Sequence, residues 1–244
     1  MSKRKAILHL MIAALVSLGA AICAAAQTPG NAVKQNKREQ TAKDATPDVK
    51  RALSDDATYS YEFSQPQFAI RHIVIEHDAQ GRGHISFERQ GEVEPITDPL
   101  ELSDAARARI LGLWEVLRFL DSDADYQSDK QFPHLGTMKL KMRRGGRERV
   151  AEFNWTNDAN ARALADEYRR AANQAIFIFD ITVARENDPL NSPKLLDTLD
   201  LYIARNELSD TRQLIPLIRD LSTDERLPLM ARNHAGRILK KLEK

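Results

Sequence analysis

The chain has 244 residues, with 36 Lys+Arg against 35 Asp+Glu, six His and one Cys. That length suffices for one large or two small domains with real cores, and 29% charged with 6% aromatic residues is an ordinary globular composition. The near-neutral balance excludes the concentrated basic surface that phosphate backbones demand, so no nucleic-acid partner is expected. A lone Cys excludes an internal disulfide framework.

Lys3, Arg4 and Lys5 precede an apolar run from Ala6 to Ile22, and Ala24-Ala25-Ala26 supplies a small-x-small cleavage pattern. This predicts a signal peptide over residues 1–26, a mature chain beginning at Gln27, and a periplasmic or secreted location without a membrane span after cleavage. Two alternatives stay open. The same apolar run is long enough to remain as an anchor, and Cys23 is a lipidation candidate, although bulky Ile22 stands where a small residue is expected. Cleavage removes the only Cys, which excludes thiol redox chemistry and thiolate metal sites. Residues 27–57 are polar, mixed in charge and free of aromatics before the domain begins near Tyr59, which predicts a disordered tether.

The body is expected to be α+β: an α+β domain over residues 58–189 and a helical bundle over 190–244, packed on or beside it. Tyr59, Tyr61 and Phe63 alternate with polar residues, a short strand that Pro66 ends. The turn-rich stretch Asp78 to Gly83 joins two strands. A three-residue loop with Gly81 left-handed sets Ile75 opposite Ile85 and Ile73 opposite Phe87 on one face, and His72 opposite Glu88 and Glu76 opposite His84 on the other.

Ser103 or Asp104 caps a helix bearing Ile110, Leu113, Trp114, Leu117 and Leu120 at helical spacing. Gly145-Gly146 turns a second hairpin, pairing Arg143 with Glu148, Lys139 with Glu152, Leu140 with Ala151 and Met138 with Phe153. Its buried face is Met138, Leu140, Met142, Phe153 and Trp155. The sheet is thus an antiparallel one of two hairpins plus a short strand, with helices on one face.

Asn157 or Asp158 starts an Ala-rich helix that Pro189 stops; Ile176 to Phe179 fits helix or strand by propensity, and helix is preferred. Ser192-Pro193 and Asp210 open two further helices, Pro216 marks a bend or a late start, and a last helix runs from about Pro228 to Leu242.

The stretch Leu214 to Leu221, with Asp224-Glu225 and Ala231 to Ala235, resembles one HEAT-type repeat, with Asp224 and Arg232 in the positions of that family's inter-helix Asp and Arg. The resemblance covers about 211–242 and implies a helical packing surface against a partner or against the chain's own sheet.

Candidate chemistry is sparse. His72, Glu76, His84 and Glu88 share one face of the first hairpin, and imidazole with carboxylate is a donor set that Zn²⁺ accepts. This makes a metal-dependent hydrolase the alternative function, although solvated His–Glu pairs explain the same pattern without any cofactor, and none is expected. Asp121, Asp123 and Asp125 imitate a calcium loop, which then fails at Tyr126 and Phe132. Arg143, Arg144, Arg147 and Arg149 cluster at the second hairpin's tip and are candidates for docking an anionic partner. Ser192 and Ser209 read as caps, His134 as a loop residue and His234 as a packing residue. Without a catalytic constellation, the expected function is a non-enzymatic binding or interaction module, its partner an envelope protein.

Overall fold

The computed structural model describes residues 56–243; the signal peptide expected over 1–26 and nearly all of the expected tether 27–57 lie outside them. Strands β1 (Thr58–Ser64), β2 (Ile70–Asp78), β3 (Arg82–Arg89), β4 (Ile96–Glu101), β5 (Thr137–Arg144) and β6 (Arg147–Phe153) form one antiparallel sheet in the order β4-β3-β2-β1-β5-β6. Helices α1 (Asp104–Val116), α2 (Ala159–Asn187), α3 (Ser192–Ala204), α4 (Ile215–Thr223) and α5 (Leu229–Leu242) complete an α+β fold.

Both hairpins pair in the register that alternation dictates, Ile75 with Ile85 and Met138 with Phe153. Gly81, at φ +80°, takes the left-handed turn position that glycine enters at little steric cost. Register then aligns the inward side chains in rows across the sheet. One row is Phe153, Met138, Phe63, Ile73, Phe87 and Ile96; the next is Ala151, Leu140, Tyr61, Ile75, Ile85 and Asp98. Ile110 and Trp114 of α1, with Leu164, Tyr168 and Ala172 of α2, close over this face to make the first core.

Helix α2 is 29 residues long, about 43 Å at 1.5 Å per residue. Asp158 caps it by accepting from the backbone N–H of Asn160 and Ala161. In its second half Phe177 and Ile181 build a separate core with Leu196, Leu199, Leu214, Ile218, Leu221 and Ile238 from the later helices. The segment 176–179 is therefore helical, and its apolar residues bridge the two cores.

Four details differ from the sequence reading. The first helix stops at Val116, because Arg118 turns left-handed (φ 45°) and delivers Phe119 to Asp121 as a short 3-10 turn. β4 is an additional edge strand, tolerating Pro99 because an edge does not need every N–H. Ser192 caps nothing: Pro189–Asn191 is already a 3-10 turn, so Ser192 lies inside helical backbone with its buried hydroxyl unpaired. The Ser209 hydroxyl is likewise buried without a partner, and Asp210 instead caps the turn before α4 by accepting from Arg212 N–H.

The first core has a polar centre. Trp114 Nε1–H donates to the Tyr168 hydroxyl (3.0 Å), which donates to His77 Nε2 (2.8 Å), while His77 Nδ1–H donates to the Asp78 carbonyl (2.7 Å). Tyr61 stacks on Tyr168 at 5.1 Å and Tyr59 on His77 at 5.3 Å. Burial holds His77 below its ordinary value of 6.5, and the network has no vacancy for a second imidazole proton. The unfolded chain therefore binds that proton first: stability is complete above about pH 6.5 and declines as pH falls through it. Tyr168→Phe leaves Trp114 and His77 buried with one partner missing, an expected cost of about 1–3 kcal/mol in urea unfolding at neutral pH. His77→Gln should flatten the decline in stability between about pH 7 and 5.5; an unchanged slope would mean that His77 takes up its proton equally well folded and unfolded.

Candidate functional site

The row Phe153-Met138-Phe63-Ile73 differs from its neighbour. Leu140, Tyr61 and Ile75 are buried, yet Met138, Phe63 and Ile73 are only half-buried. The cause lies in α2, where Ala165 faces this end of the sheet and offers no bulk to cover it. The result is a cleft of about 980 Å³ between sheet and helix, at the upper end of the roughly 300–1,000 Å³ range of ligand pockets.

Its floor is Phe63, Ile73, Met138 and Phe153, and Ile70 and Ile176 also line it. Three loops raise an apolar lip of Phe68, Leu135 and Trp155, which are 45%, 39% and 36% exposed. Gly136 (φ +88°) holds the lip close, since a Cβ there would meet the Phe63 ring at 2.6 Å. One face of α2 forms the opposite wall through Arg162, Ala165, Asp166, Arg169, Asn173 and Ile176, the spacing of a single helical stripe. Arg162 lies over the Trp155 ring, 5.6 Å from its centroid, and donates to the Thr156 carbonyl at 3.1 Å. Arg169 pairs with Asp166 at 3.0 Å.

The His72, Glu76, His84 and Glu88 positions lie on the outer face of the sheet, as their register requires. His72 is held between Glu62 (3.2 Å) and Glu88 (3.3 Å), while His84 meets Glu76 separately at 3.5 Å. Arg71 binds Glu88 and Lys139 binds Glu62. The bonds from His72 and these cations hold both carboxyls below their ordinary range against the opposing effect of desolvation. Carboxylate oxygens already engaged by cations are poor metal donors, and no group of three or more His, Cys, Asp or Glu among the described residues is arranged to hold a metal ion.

The arginine cluster divides. Arg149 points inward, stacks over Phe119 (4.6 Å) and Tyr126 (5.4 Å), and donates to the Phe119 and Ala124 carbonyls. Arg147 binds the Leu120 carbonyl and the Asp121 carboxylate. Both clamp the acidic loop after α1, leaving Arg143 and Arg144 exposed at the tip. His234 packs as expected, bonded to Asp200 at 2.7 Å. Asp224 pairs with Arg226 and Arg185, and Arg232 has its Nε buried without a partner.

No protein-family model matches this chain, and no curated protein matches it. The cleft is the residue grouping that sequence reasoning missed. Met138, Phe153 and Trp155 were legible as one apolar face, but alternation specifies a side of the sheet and not what covers it. Trp155 lies beyond the end of β6 and is a lip residue, not a core one.

Arg149→Gln removes a cation over two rings and bonds to two carbonyls. Loss of about 1–2 kcal/mol of stability is expected, with faster amide exchange confined to residues 119–126. Exchange unchanged in that loop would show that Arg149 does not hold it.

Proposed function

We propose that this protein is an exported, non-enzymatic binding module of the cell envelope, and that the cleft between α2 and the sheet takes an apolar ligand. The half-buried row Phe63, Ile73 and Met138 carries this reading: three large side chains on the inner face of a sheet, left uncovered beneath a helix that covers their neighbours. An apolar occupant would remove that surface from water, worth about 25 cal/mol per Å².

The chemistry of the lining supports binding over turnover. Among the described residues that line the cleft there is no His, Cys, Ser or Lys, and its one carboxylate, Asp166, is paired with Arg169. No nucleophile stands beside a base there. The His72/Glu76/His84/Glu88 face, on which metal-dependent hydrolysis would have to rest, is on the other side of the sheet. The N-terminal export pattern supports placing the module in the envelope.

The test is titration of the purified protein with Nile red, a neutral apolar dye whose emission reports a dry site. Saturable, stoichiometric binding is expected. Met138→Gln on the floor and Ala69→Trp at the rim should each weaken it about fivefold or more while the unfolding midpoint shifts only a few degrees. Absence of saturable binding, or binding indifferent to both substitutions, would place the apolar site elsewhere or nowhere.

A further inference from the structure

Within this apolar cleft the charged groups, Arg162, Asp166 and Arg169, all lie on the α2 wall. Arg162 has no carboxylate partner among the described residues; it donates to the Thr156 carbonyl and lies over the Trp155 indole face, which leaves guanidinium donors free. Arg169 shares its charge with Asp166. The wall therefore carries two cations against one anion, a net charge of about +1.

Tyr61 supplies an independent observation. It lines the cleft from the sheet side and is 3% exposed. Its ring is stacked on Tyr168, yet no hydrogen-bond partner for its hydroxyl exists among the described residues. Burial raises the phenol, with the Arg169 charge acting against that, so the hydroxyl remains a protonated donor. The Tyr61 hydroxyl is not one of the buried polar atoms left without a partner, so it opens onto the cleft, where a ligand atom can accept from it. A ligand that takes these donors brings acceptor oxygens and about one negative charge, attached to an apolar body that covers Phe63, Ile73, Met138 and Phe153.

We propose that the ligand is a single-chain carboxylate amphiphile, a long-chain fatty acid, with its head on Arg162, Arg169 and the Tyr61 hydroxyl and its chain along the floor row. The assignment rests on the apolar-cleft reading above and adds the head-group chemistry. A planar carboxylate matches a guanidinium bidentately, and its single charge matches the net charge of the wall. A phosphate monoester would bring close to two charges to a wall that neutralises one.

The experiment is displacement of Nile red from the full-length protein by dodecanoate, dodecanol, dodecylamine and dodecyl phosphate, all below their micellar concentrations. Dodecanoate is expected to bind about tenfold tighter than dodecanol, with dodecylamine no better than dodecanol. Arg162→Gln with Arg169→Gln should bring dodecanoate down to the dodecanol level, Tyr61→Phe should narrow the preference, and Arg162→Lys with Arg169→Lys should keep part of it. Equal binding of acid and alcohol, or a preference for the amine or the phosphate, overturns the carboxylate assignment while leaving the apolar cleft standing. Failure of Nile red and of every dodecyl compound to bind overturns the cleft reading and this one together.

Discussion

One helix has to serve two cores, and the rest of the structure follows from how it does so. The first half of α2 lies on the sheet through Leu164, Tyr168 and a series of alanines, Ala161, Ala165, Ala171, Ala172 and Ala175. Small side chains let backbone and sheet approach closely, while Tyr168 alone is large enough to reach the buried hydrogen-bonded centre with Trp114 and His77. The second half changes composition: Ile176 and Phe179 still pack on the sheet core, while Phe177 and Ile181 turn to the later helices. A helix of ordinary length, three or four turns, would serve one of these cores and leave the other without a lid.

The cleft is a by-product of the same composition. Leu140, Tyr61, Ile75 and Ile85 are buried in one row, while Met138, Phe63 and Ile73 in the next, at the end lined by Ala165, stay partly open. Apolar surface left open costs stability, since a well-packed core would have filled the gap with larger side chains. The opposite face of the sheet shows no such deficit. Glu62, His72, Glu88, Lys139 and Lys141 engage one another or their neighbours there, each exposed pair worth at most about 1 kcal/mol. The two faces have different requirements: the outer one is solvated and locally satisfied, and the inner one is incomplete at one end.

These differences explain what could be read from the chain and what could not. Hairpin registers were legible because both faces constrain them at once: shifting Ile75 by one residue would bury Glu76 and strand His84. β4 was not legible, since Asp98 and Pro99 break the alternation and only an edge position tolerates them. Four arginines near a Gly-Gly turn looked like one patch. Strand parity, however, sends Arg149 to the inner face and onto Phe119 and Tyr126, contacts with a loop nearly thirty residues away in sequence. Ser192 before a proline had the sequence of a cap, and only the 3-10 turn ahead of it shows that the helical path had already begun. Pairing rules give sides and registers; they do not give the distance between layers, and a cleft is a statement about that distance.

That distance is set by polar fasteners along the flanks of α2. Glu167, almost fully buried, receives Arg109 from α1 and Arg170 from its own helix, and Arg109 continues to the Ser209 carbonyl. Gln174 bonds Gln213 and the Asp210 N–H, and Gln213 reaches the Glu101 carbonyl at the end of β4. Asp180 pairs with Arg89 of β3, and Arg185 with Asp224 beyond α4. Arg226, the Arg226 N–H and Arg185 together hold the Asp224 carboxyl well below the usual carboxylate range, against an opposing contribution from desolvation. Contacts of this kind are directional, so unlike apolar packing they fix the rotation of the helix about its axis as well as its position. With the axis and rotation of α2 fixed from both ends, Ala165 cannot settle toward the floor row, and the Arg162–Arg169 stripe is held at the wall. A cleft kept open this way is formed before any ligand arrives, and binding in it need not be discounted for the cost of ordering the site.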